Sequence, residues 1–461
     1  MARKKQAKTP EQLLGEALVP CEEHPYAVPD NWRWVRASAV LKPMETASPD
    51  GESFDYIDID AIDNKTQAIR EVKTLPVEKA PSRAKRRVHD GDTLFSMVRP
   101  YLRNIAYVDS SHDDCVASTG FYVCSPNAVI DRRYLYHLLC SDYTVNGLTS
   151  FMKGDNSPSI KKGDFDAFPL PIPPLAEQRR IVKRVGVLFA KLDEVENALN
   201  DVLRSSQQRV HALLREAFSG DLSMGWRAEH DAGSRSSWKR IKLIEVLQGK
   251  PRNGFSPKPV NYETGIRTLS LSAVTSGEFR ADCFKYVDID VEEDSHLWLE
   301  PGDILLQRSN SLDKVGKSAL YTGASHGFIY PDLMMKLQVN PDVAFSPFIA
   351  YQLKTPGVMN YLREHATGTA GNMPKVNQAT VCNIPLVLPC KEEQVVLAKR
   401  LDNLIETERK VFECAAGALS WVKNIRASVL QRALAGRLGT NNPAEPNPKA
   451  TLVEQFNKQA Y

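Results

Sequence analysis

The chain has 461 residues, of which 42% are hydrophobic and 25% are charged, and its formal net charge is +3. This length is too great for one hydrophobic core and, at about 150 residues per domain, suggests about three domains. The composition is typical of a soluble globular protein, and no apolar run is long enough to cross a membrane. The start of the chain lacks the apolar stretch of a signal peptide, so we expect a cytoplasmic protein.

The cysteines and charges exclude some classes of site. The eight cysteines contain no Cys-x-x-Cys pair, so they indicate neither a zinc ribbon nor a disulfide framework. A net charge of +3 is low for a nucleic-acid-binding protein, so a DNA-binding surface would require segregated charges. Basic residues do cluster, within Arg83–Arg87 and within Arg179–Arg184, although a single charge run is more commonly a solvated face.

An N-terminal arm precedes the first globular segment. Residues 1–30 form this arm, which is basic and then amphipathic, with a short helix expected near Glu11–Leu18. Residues 31–168 have the pattern of a mixed α/β domain with short strands. Within it, a Gly-Asp turn leads into a buried strand at Asp92–Val98, and Arg133–Cys140 predicts a short helix.

A long helix is predicted after this segment, and we assign residues 169–222 to a first helical spacer. Pro169–Pro174 fixes an extended entry, and the helix then runs to Gly220, glycine being common just past a helix end. Its 45 or so residues would span roughly 65 Å. Apolar residues recur at intervals of four and three, which indicates a seam that packs against a partner helix. The seam residues are Ile181, Val185, Leu188, Leu192, Val195 and Leu199.

The same order of segments then repeats. A linker, residues 223–237, leads to a second α/β segment, residues 238–385, and to a second helical spacer, residues 386–438. Residues 439–461 are rich in asparagine and proline and predict a flexible tail. The second seam, which Glu408 interrupts, consists of Leu397, Leu401, Leu404, Val411, Val422 and Val429.

The helical parts of the two units align in register. Glu177 aligns with Glu393 at an offset of 393 − 177 = 216, and this offset holds without a gap to Gly220 and Gly436. A long internal repeat indicates one physical task performed twice.

The globular parts align less regularly. The offset is 238 − 32 = 206 between Trp32 and Trp238, and 302 − 91 = 211 between Gly91 and Gly302. Because loops tolerate insertions and packed elements do not, this drift indicates that the globular parts vary while the helices are fixed.

Two seams in one chain can bury each other. The globular segment between them allows the second helix to return antiparallel to the first, which would place a globular segment at each end. The alternative is two unrelated amphipathic helices, each packed on its own domain.

These features together resemble the specificity subunit of type I restriction-modification systems. The resembling features are a Trp-containing first strand, a Gly-Asp turn, a Pro-rich lead into Glu-Gln and a long helix that ends at Gly, all of them present twice. The resemblance covers about Pro20 to Leu438, and Pro171–Gln178 is close to the family pattern. The second copy departs from that pattern at Val387 and Cys390.

The resemblance implies an α+β protein in which two α/β target recognition domains are separated by two long antiparallel coiled-coil helices, with an internal pseudo-twofold repeat. Each recognition domain would read one half of a split double-stranded DNA site. The helices would set the spacer and dock two methyltransferase subunits, and restriction subunits would join through the complex. The chain itself would be non-catalytic and hold no cofactor or metal, since S-adenosylmethionine, Mg²⁺ and ATP belong to the partner subunits. The absence of an Asn/Asp-Pro-Pro-Tyr/Phe motif agrees.

Candidate DNA-binding side chains follow the two Gly-Asp strands in similar places. They are Arg99, Arg103, Arg308, Asn310, Lys314 and Lys317. Arginine and asparagine can bind guanine and adenine edges with two hydrogen bonds, and lysine can neutralise phosphates. The alternative for each of them is ordinary solubilising charge on a surface loop.

Three rival functions remain open from the sequence. Pro49-Asp50 followed by Glu71-Val-Lys73 imitates the spacing of metal-dependent nucleases, although the second unit does not repeat it. Ser311–Ser318 resembles a phosphate-binding loop but lacks its opening glycine. A scaffold that does not bind DNA is the third possibility, and salt-sensitive DNA binding would exclude it.

Overall fold

The computed structural model describes residues 9–230, 232–233, 235–368 and 373–459. No helix in these ranges is long and apolar enough to span a membrane. The chain divides into two compact units. The first comprises the chain up to Leu199 together with the chain from Gly417 onward, and the second comprises Asn200–Ala416.

The first unit contains the described strands that precede the first long helix. Its strands are β1 Arg33–Arg36, β2 Ser53–Ile57, β3 Ile62–Asp63, β4 Ala68–Ile69, β5 Lys73–Pro76, β6 Ala84–Arg87, β7 Thr93–Ser96, β8 Ile105–Tyr107, β9 Val116–Ser118, β10 Phe121–Cys124 and β11 Pro169–Ile172. Its helices are α1 Pro10–Ala17, α2 Arg132–Cys140, α3 Asp142–Thr149, α4 Lys162–Ala167, the part of α5 (Leu175–Ser219) up to Leu199, the part of α11 (Lys391–Leu434) from Gly417 onward, and α12 Lys449–Gln459.

The strands of the first unit form several small sheets. A four-stranded sheet has the order β5-β2-β9-β6, and a three-stranded sheet has the order β10-β7-β8. Strands β1 and β11 pair antiparallel, with Val35 opposite Leu170, so the entry to α5 lies beside the first strand. The main core joins α2, β11 and the start of α5 through Tyr134, Leu170 and Ile181. The buried strand after the Gly-Asp turn and the helix near Arg133–Cys140 are therefore confirmed.

The second unit repeats this plan with fewer strands. Its strands are β12 Lys239–Lys242, β13 Arg252–Asn253, β14 Pro259–Val260, β15 Ile266–Leu269, β16 Phe284–Val287, β17 Ile304–Gln307, β18 Ser318–Leu320, β19 Met334–Leu337 and β20 Pro385–Leu388. Its helices are α6 Met224–Glu229, α7 Ser272–Thr275, α8 Ser346–Leu353, α9 Pro356–Glu364, α10 Gln378–Cys382, the rest of α5 and the rest of α11. The sheet orders are β13-β19-β17-β18 and β14-β16-β15, and β12 pairs with β20 as β1 pairs with β11.

The two long helices pair with each other within each unit. In the first unit, Arg426 of α11 binds Asp193 and Glu196 of α5, and its guanidinium lies 5.2 Å from the ring of Phe189. The first part of α5 thus meets the last part of α11, which is the antiparallel arrangement expected from the two seams.

The second unit contains the other half of this pairing. Leu214 and Ala217, near the end of α5, are buried in one core with Leu397 and Leu401, near the start of α11.

The seams are less continuous than the sequence suggested. Val195 and Val411 are 48% and 40% exposed, although both have the spacing of seam residues. Charged contacts join α5 and α11 where apolar seam residues are exposed. In the second unit Arg209 Nε donates to Glu408 Oε2 at 2.7 Å, so the interruption at Glu408 is matched by a cation on the other helix.

The expectation of a flexible tail at residues 439–461 is wrong for the described part of that segment. Thr440 donates to a carboxylate at the start of α5, and α12 packs on α1, with Leu452 and Phe456 buried in the core of the first unit. The tail is held by single polar groups and by a short amphipathic helix. The asparagine and proline residues between them predict disorder, so the sequence pattern does not reveal these contacts. The arm does form the expected helix, α1, while residues 1–8 lie outside the described residues.

Candidate DNA interface

The Gly-Asp turns fix the start of the central strands β7 and β17. Asp92 Oδ2 accepts a hydrogen bond from the His89 backbone N–H, and Asp303 Oδ2 accepts one from Glu300, both at 2.9 Å. Burial raises the pKa of both carboxyls. Each aspartate therefore closes the turn that aims the central strand, and with it the loop that follows, in a fixed direction.

In the first unit, the loop after β7 is tied to a distant hairpin. The Arg99 backbone N–H donates to the Pro158 carbonyl at 2.9 Å, and the Ile160 N–H donates to the Met97 carbonyl at 3.0 Å. The hairpin is closed by reciprocal backbone bonds between Lys153 and Ser159. We call residues 97–104 and 153–160 together the first loop surface.

The two predicted arginines of this surface have different surroundings. Arg99 has φ 48°, and its guanidinium donates to the Asn156 carbonyl at 2.7 Å while remaining partly exposed. Arg103 donates to the Cys140 carbonyl at 2.9 Å and forms an ion pair with Asp142, both at the junction of α2 and α3. The structure thus brings Arg99 to the loop surface and gives Arg103 contacts that hold the loop against the helices.

Sequence reasoning missed the apolar and basic side chains beside these arginines. Tyr101 and Leu102 are exposed on the loop itself, and Phe151 is exposed just before the hairpin. Lys153 and Lys161 are exposed at the two ends of the hairpin segment. In the sequence these residues lie in short polar runs between helices. Such runs do not indicate that the hairpin lies against the loop after β7.

The second unit has the same arrangement after β17. The Asn310 N–H donates to the Pro374 carbonyl at 3.4 Å, and the Val376 N–H donates to the Arg308 carbonyl at 2.8 Å. Reciprocal backbone bonds join Thr367 to Lys375. We call residues 308–317 together with 367–368 and 373–376 the second loop surface.

The shared backbone bonds show which side chains correspond in the two loop surfaces. Asn310 stands where Arg99 stands, since 303 − 92 and 310 − 99 both equal 211, and Lys314 stands where Arg103 stands by the same offset.

The side chains of the second loop surface are partly engaged. Asn310 Nδ2 donates to Gln307 Oε1 and its Oδ1 accepts from the Ser311 N–H, both at 2.8 Å. Arg308 Nε is buried and has no hydrogen-bond partner among the described residues. Lys314 is exposed and Lys317 is partly exposed. Leu312 and Met373 are also exposed here, as the apolar side chains of the first loop surface are.

The two rival chemistries find little support in the described residues. Ser311–Ser318 connects strand β17 to strand β18, whereas a phosphate-binding loop leads from a strand into a helix. The group of three potential metal ligands found in the described part of the chain is His89, Asp113 and Asp114, and it includes neither Asp50 nor Glu71. That group is exposed at its carboxylates, and one of them already binds an arginine, Asp114 with Arg87.

Comparison with known proteins agrees with this geometry. Residues 50–205 match the family model described as the type I restriction modification DNA specificity domain. The EcoKI specificity subunit of Escherichia coli strain K12 is 27% identical over 343 residues, covering 72% of this chain and 73% of that protein. The StySPI specificity subunit of Salmonella potsdam is 27% identical over 341 residues, covering 72% of each.

Solved structures extend the likeness to most of the chain. The HsdS subunit from Thermoanaerobacter tengcongensis is 26% identical, with a TM-score of 0.63, and covers 90% of this chain and all of that one. A chain from a study of complex assembly and conformational transition in the type I R-M system has a TM-score of 0.72 with the same identity and coverage. The chain is thus similar to type I restriction enzyme specificity subunits over most of its length.

The repeated Glu-Gln pair connects each globular segment to its long helix. Gln178 Oε1 accepts from the Asp131 N–H at 2.6 Å, and its Nε2 donates to the Val129 and Pro173 carbonyls. The equivalent Gln394 accepts from Phe345 in the same way. Because both glutamines are buried and bonded to the chain just before α2 or α8, each fixes the start of a long helix to the recognition segment.

The two glutamates are buried beside these glutamines. Thr440 Oγ1 donates to Glu177 Oε1 at 2.6 Å, and Arg180 Nε donates to its other oxygen at 3.0 Å. Burial raises the pKa of Glu177. In the second unit, Ser223 and Arg227 donate to Glu393 at 2.7 and 2.6 Å. The shared Glu-Gln motif is therefore structural and fixes each globular segment to its long helix.

Proposed function

We propose that each unit reads one half of a bipartite DNA site through its loop surface, and that the paired helices set the spacing and dock two methyltransferase subunits. The observation that carries this proposal is that the same backbone-tied loop occurs in both units with different side chains, Arg99 in one and Asn310 in the other. One frame with different side chains suits a protein that reads two different half-sites.

The chemistry of each surface supports a different readout. A guanidinium such as that of Arg99 can donate two hydrogen bonds to guanine, and an amide such as that of Asn310 can pair with adenine. The present bonds of Asn310 use one of its two N–H groups and one lone pair of its oxygen, so the complementary positions remain for a base. Lys314, Lys317 and Lys375 supply positive charge for the phosphates around the second surface.

The remaining parts of the proposal concern the partners. The chain acts as the recognition subunit, and methyl transfer with S-adenosylmethionine takes place on the methyltransferase subunits. ATP and Mg²⁺ are used by the restriction subunits, which join through the assembled complex. The complex works in the cytoplasm, where the host DNA and incoming foreign DNA are both accessible.

The decisive experiment exchanges one recognition segment. The methylated adenines of the host genome first give the target sequence. Residues 238–385 are then replaced by those of a relative, and methylation is mapped again. We expect one half-site to change and the other to stay; a change in both halves, or in neither, contradicts the proposal.

Point substitutions assign the half-sites to the loop surfaces. Arg99→Ala should relax specificity in one half-site, and Asn310→Ala in the other, each by about 1–3 kcal/mol of discrimination. Lys314→Ala should weaken binding to all sequences and reduce the slope of log affinity against log salt by about one. Lys285→Ala, on β16 outside the loop surface, is the matched control and should leave the slope unchanged.

The spacing function is tested by lengthening the helices. Insertion of one heptad into both α5 and α11 preserves the seam and adds about 10 Å, or about three base pairs. The preferred spacer between half-sites should lengthen accordingly. An unchanged spacer would show that the helices do not determine it.

A further inference from the structure

The second unit has an open groove beside β12. The groove has a volume of about 1000 Å³ and lies within the second unit alone. Its apolar lining includes Leu214, Phe218, Ile241, Val358 and Leu386. Three cations, Arg215, Arg240 and Lys242, also line it, against one carboxylate, Glu245. The groove is therefore apolar at its base and basic at its rim.

The corresponding place in the first unit can be identified from the strand register. Val35 lies opposite Leu170 as Ile241 lies opposite Leu386, which makes β1 the counterpart of β12. The offset of 206 then equates Trp34 with Arg240 and Arg36 with Lys242, and the helix offset of 216 equates Leu434 with Phe218.

The first unit covers this place with its own chain. Leu18 forms a bridge with Val35, and the Val19 N–H donates to the Trp34 carbonyl at 3.0 Å, so the segment adds to the edge of β1. Further along, Glu23 binds Arg36 at 2.7 Å. We call residues 18–26 the covering segment.

An aromatic side chain anchors the end of the covering segment. The Tyr26 ring lies 4.8 Å from the ring of Trp34 and 5.3 Å from that of Tyr143, and its hydroxyl donates to the Leu434 carbonyl at 3.3 Å. The counterpart of Tyr143 is Gly357, by the offset of 214 that relates α3 to α9. The second unit thus has a glycine where the first has an aromatic wall.

The described part of the chain before β12 makes other contacts than the covering segment does. Residues 224–232 occupy the sequence positions equivalent to 18–26, and they begin with helix α6. Arg227 of that helix forms a buried ion pair with Glu393 at 2.6 Å, with side chains only 8% and 2% exposed. Where they are described, the counterparts of residues 18–26 line no part of the groove, and helix α6 instead holds the start of α11.

We propose that this groove binds an extended segment of the methyltransferase subunit that carries a carboxylate and, three residues later, an aromatic side chain. The first unit is the template, since Glu23 and Tyr26 have that spacing and make the corresponding contacts. The segment adds to the edge of β12, its carboxylate binds Lys242, and its ring enters the space above Gly357. The inference rests on the proposed function, because it requires a methyltransferase partner.

The direct test uses a peptide of this chain as the probe. A labelled peptide with the sequence of residues 17–27, with serine at position 21, is titrated into the full-length chain and followed by fluorescence anisotropy. We expect one saturable site per chain. Peptides that carry Glu23→Lys or Tyr26→Ala should bind at least about tenfold more weakly, which corresponds to about 1.4 kcal/mol. Absence of saturable binding overturns the proposal.

Substitutions in the groove locate the site. Gly357→Trp places a ring in the groove, and a side chain at this position meets no other atom within 4 Å at its Cβ. Lys242→Glu reverses the charge at the rim. Both should weaken peptide binding by about tenfold or more, whereas Lys239→Glu, on the same strand but outside the groove, is the matched control. Equal effects of Lys242→Glu and Lys239→Glu would contradict the assignment.

The same variants are then assembled with the methyltransferase subunit of the system, and the dissociation constant is measured by sedimentation. Gly357→Trp should weaken assembly by about tenfold or more and leave DNA binding by the isolated chain unchanged. If the unsubstituted chain does not bind DNA, the proposed function is contradicted instead. Normal assembly of the Gly357→Trp variant with the methyltransferase subunit overturns the partner proposal. If the variant assembles normally but no longer associates with itself, the occupant of the groove is a second copy of this chain.

Discussion

Each unit has an equivalent buried glutamate at the start of its long helix, and a different part of the chain binds it in each unit. In the second unit, Glu393 binds Ser223, Arg227 and Trp238, which all belong to the segment that joins α5 to β12. In the first unit, Glu177 binds Thr440, which belongs to the C-terminal tail. The tail therefore does for the first unit what the linker does for the second, although it lies at the other end of the sequence.

The comparison also separates two kinds of electrostatic contact. The arginine that binds Glu393 is almost fully buried, whereas Arg180, which binds Glu177, is 38% exposed. A buried charge that loses its partner is destabilising by several kcal/mol, while a pair whose cation is partly exposed is screened by water and contributes less. We therefore expect the second unit to depend on its ion pair and the first unit to depend on a hydroxyl and on apolar packing.

The largest effect should come from the buried pair. Arg227→Met leaves the Glu393 carboxylate buried without its cation, and we expect about 3–5 kcal/mol of destabilisation in the second unit. Urea unfolding, with hydrogen exchange at β12 and α6, measures it. The control is the double variant Arg227→Met with Glu393→Gln, which should recover most of the loss. If the single variant unfolds at the same urea concentration as the unsubstituted chain, the buried pair is not the support of this unit.

Acid should lower the stability of the first unit through a buried histidine that the described part of the second unit does not have. His137 of α2 packs its ring 5.9 Å from Phe189, and burial lowers its pKa from 6.5 to about 4. The imidazole is neutral in both the folded and the unfolded chain at pH 7. As the pH falls below 6.5, the unfolded chain binds a proton that the folded chain does not, so stability is lost down to about pH 4, by about 3 kcal/mol at most.

The second unit has a tyrosine at the position equivalent to His137. It is Tyr351, by the offset of 214, and its hydroxyl donates to Asp402 on α11. His137→Phe should remove the acid-dependent loss between pH 6.5 and 4, while Tyr351→Phe should leave it in place. Unfolding by urea at several pH values measures both variants. An identical pH profile for His137→Phe and the unsubstituted chain would mean that another group causes the loss.

A smaller effect is expected where the tail binds Glu177. Thr440→Val keeps the shape of the side chain and removes the donor to a buried carboxylate, which should cost about 1–2 kcal/mol in the first unit. Thr440→Ser, which retains the hydroxyl, is the matched control. Because burial raises the pKa of Glu177, protonation at low pH should reduce the difference between the two variants. A difference that grows on acidification would contradict this account.

The sequence predicted those features that repeat or that have a period. The long helices, the Gly-Asp strands and the order of the two units follow from heptads and from constant offsets. The exposed residues Val195 and Val411 could not be foreseen, because the heptad pattern does not tell where a charged contact such as Arg209 with Glu408 replaces an apolar one. The partner lies about two hundred positions away, as the difference 408 − 209 = 199 indicates.

The candidate site was predicted in part for the same reason. The position of Arg99 and Asn310 follows from the Gly-Asp turn, which is local in sequence. The hairpin that lies against each loop is some sixty residues further along, and Arg103 binds Asp142, which is 142 − 103 = 39 positions away. The docking of the tail through Thr440 was not predicted, since a hydrogen bond between single polar groups leaves no periodic signal.

The smallest effect should come from the partly exposed ion pair between Arg180 and Glu445. Two hydrogen bonds, at 2.8 and 2.7 Å, join the guanidinium to this carboxylate and lower its pKa. Glu445→Gln should nevertheless cost less than about 1 kcal/mol, and 1 M salt should remove the difference, because water screens the pair. By contrast, Phe456→Ala in α12 removes a buried ring and should loosen the tail at any salt concentration. Hydrogen exchange in α12 distinguishes the two: a salt-dependent loss for Phe456→Ala, or a large loss for Glu445→Gln, would mean that charge rather than apolar packing holds the tail on the first unit.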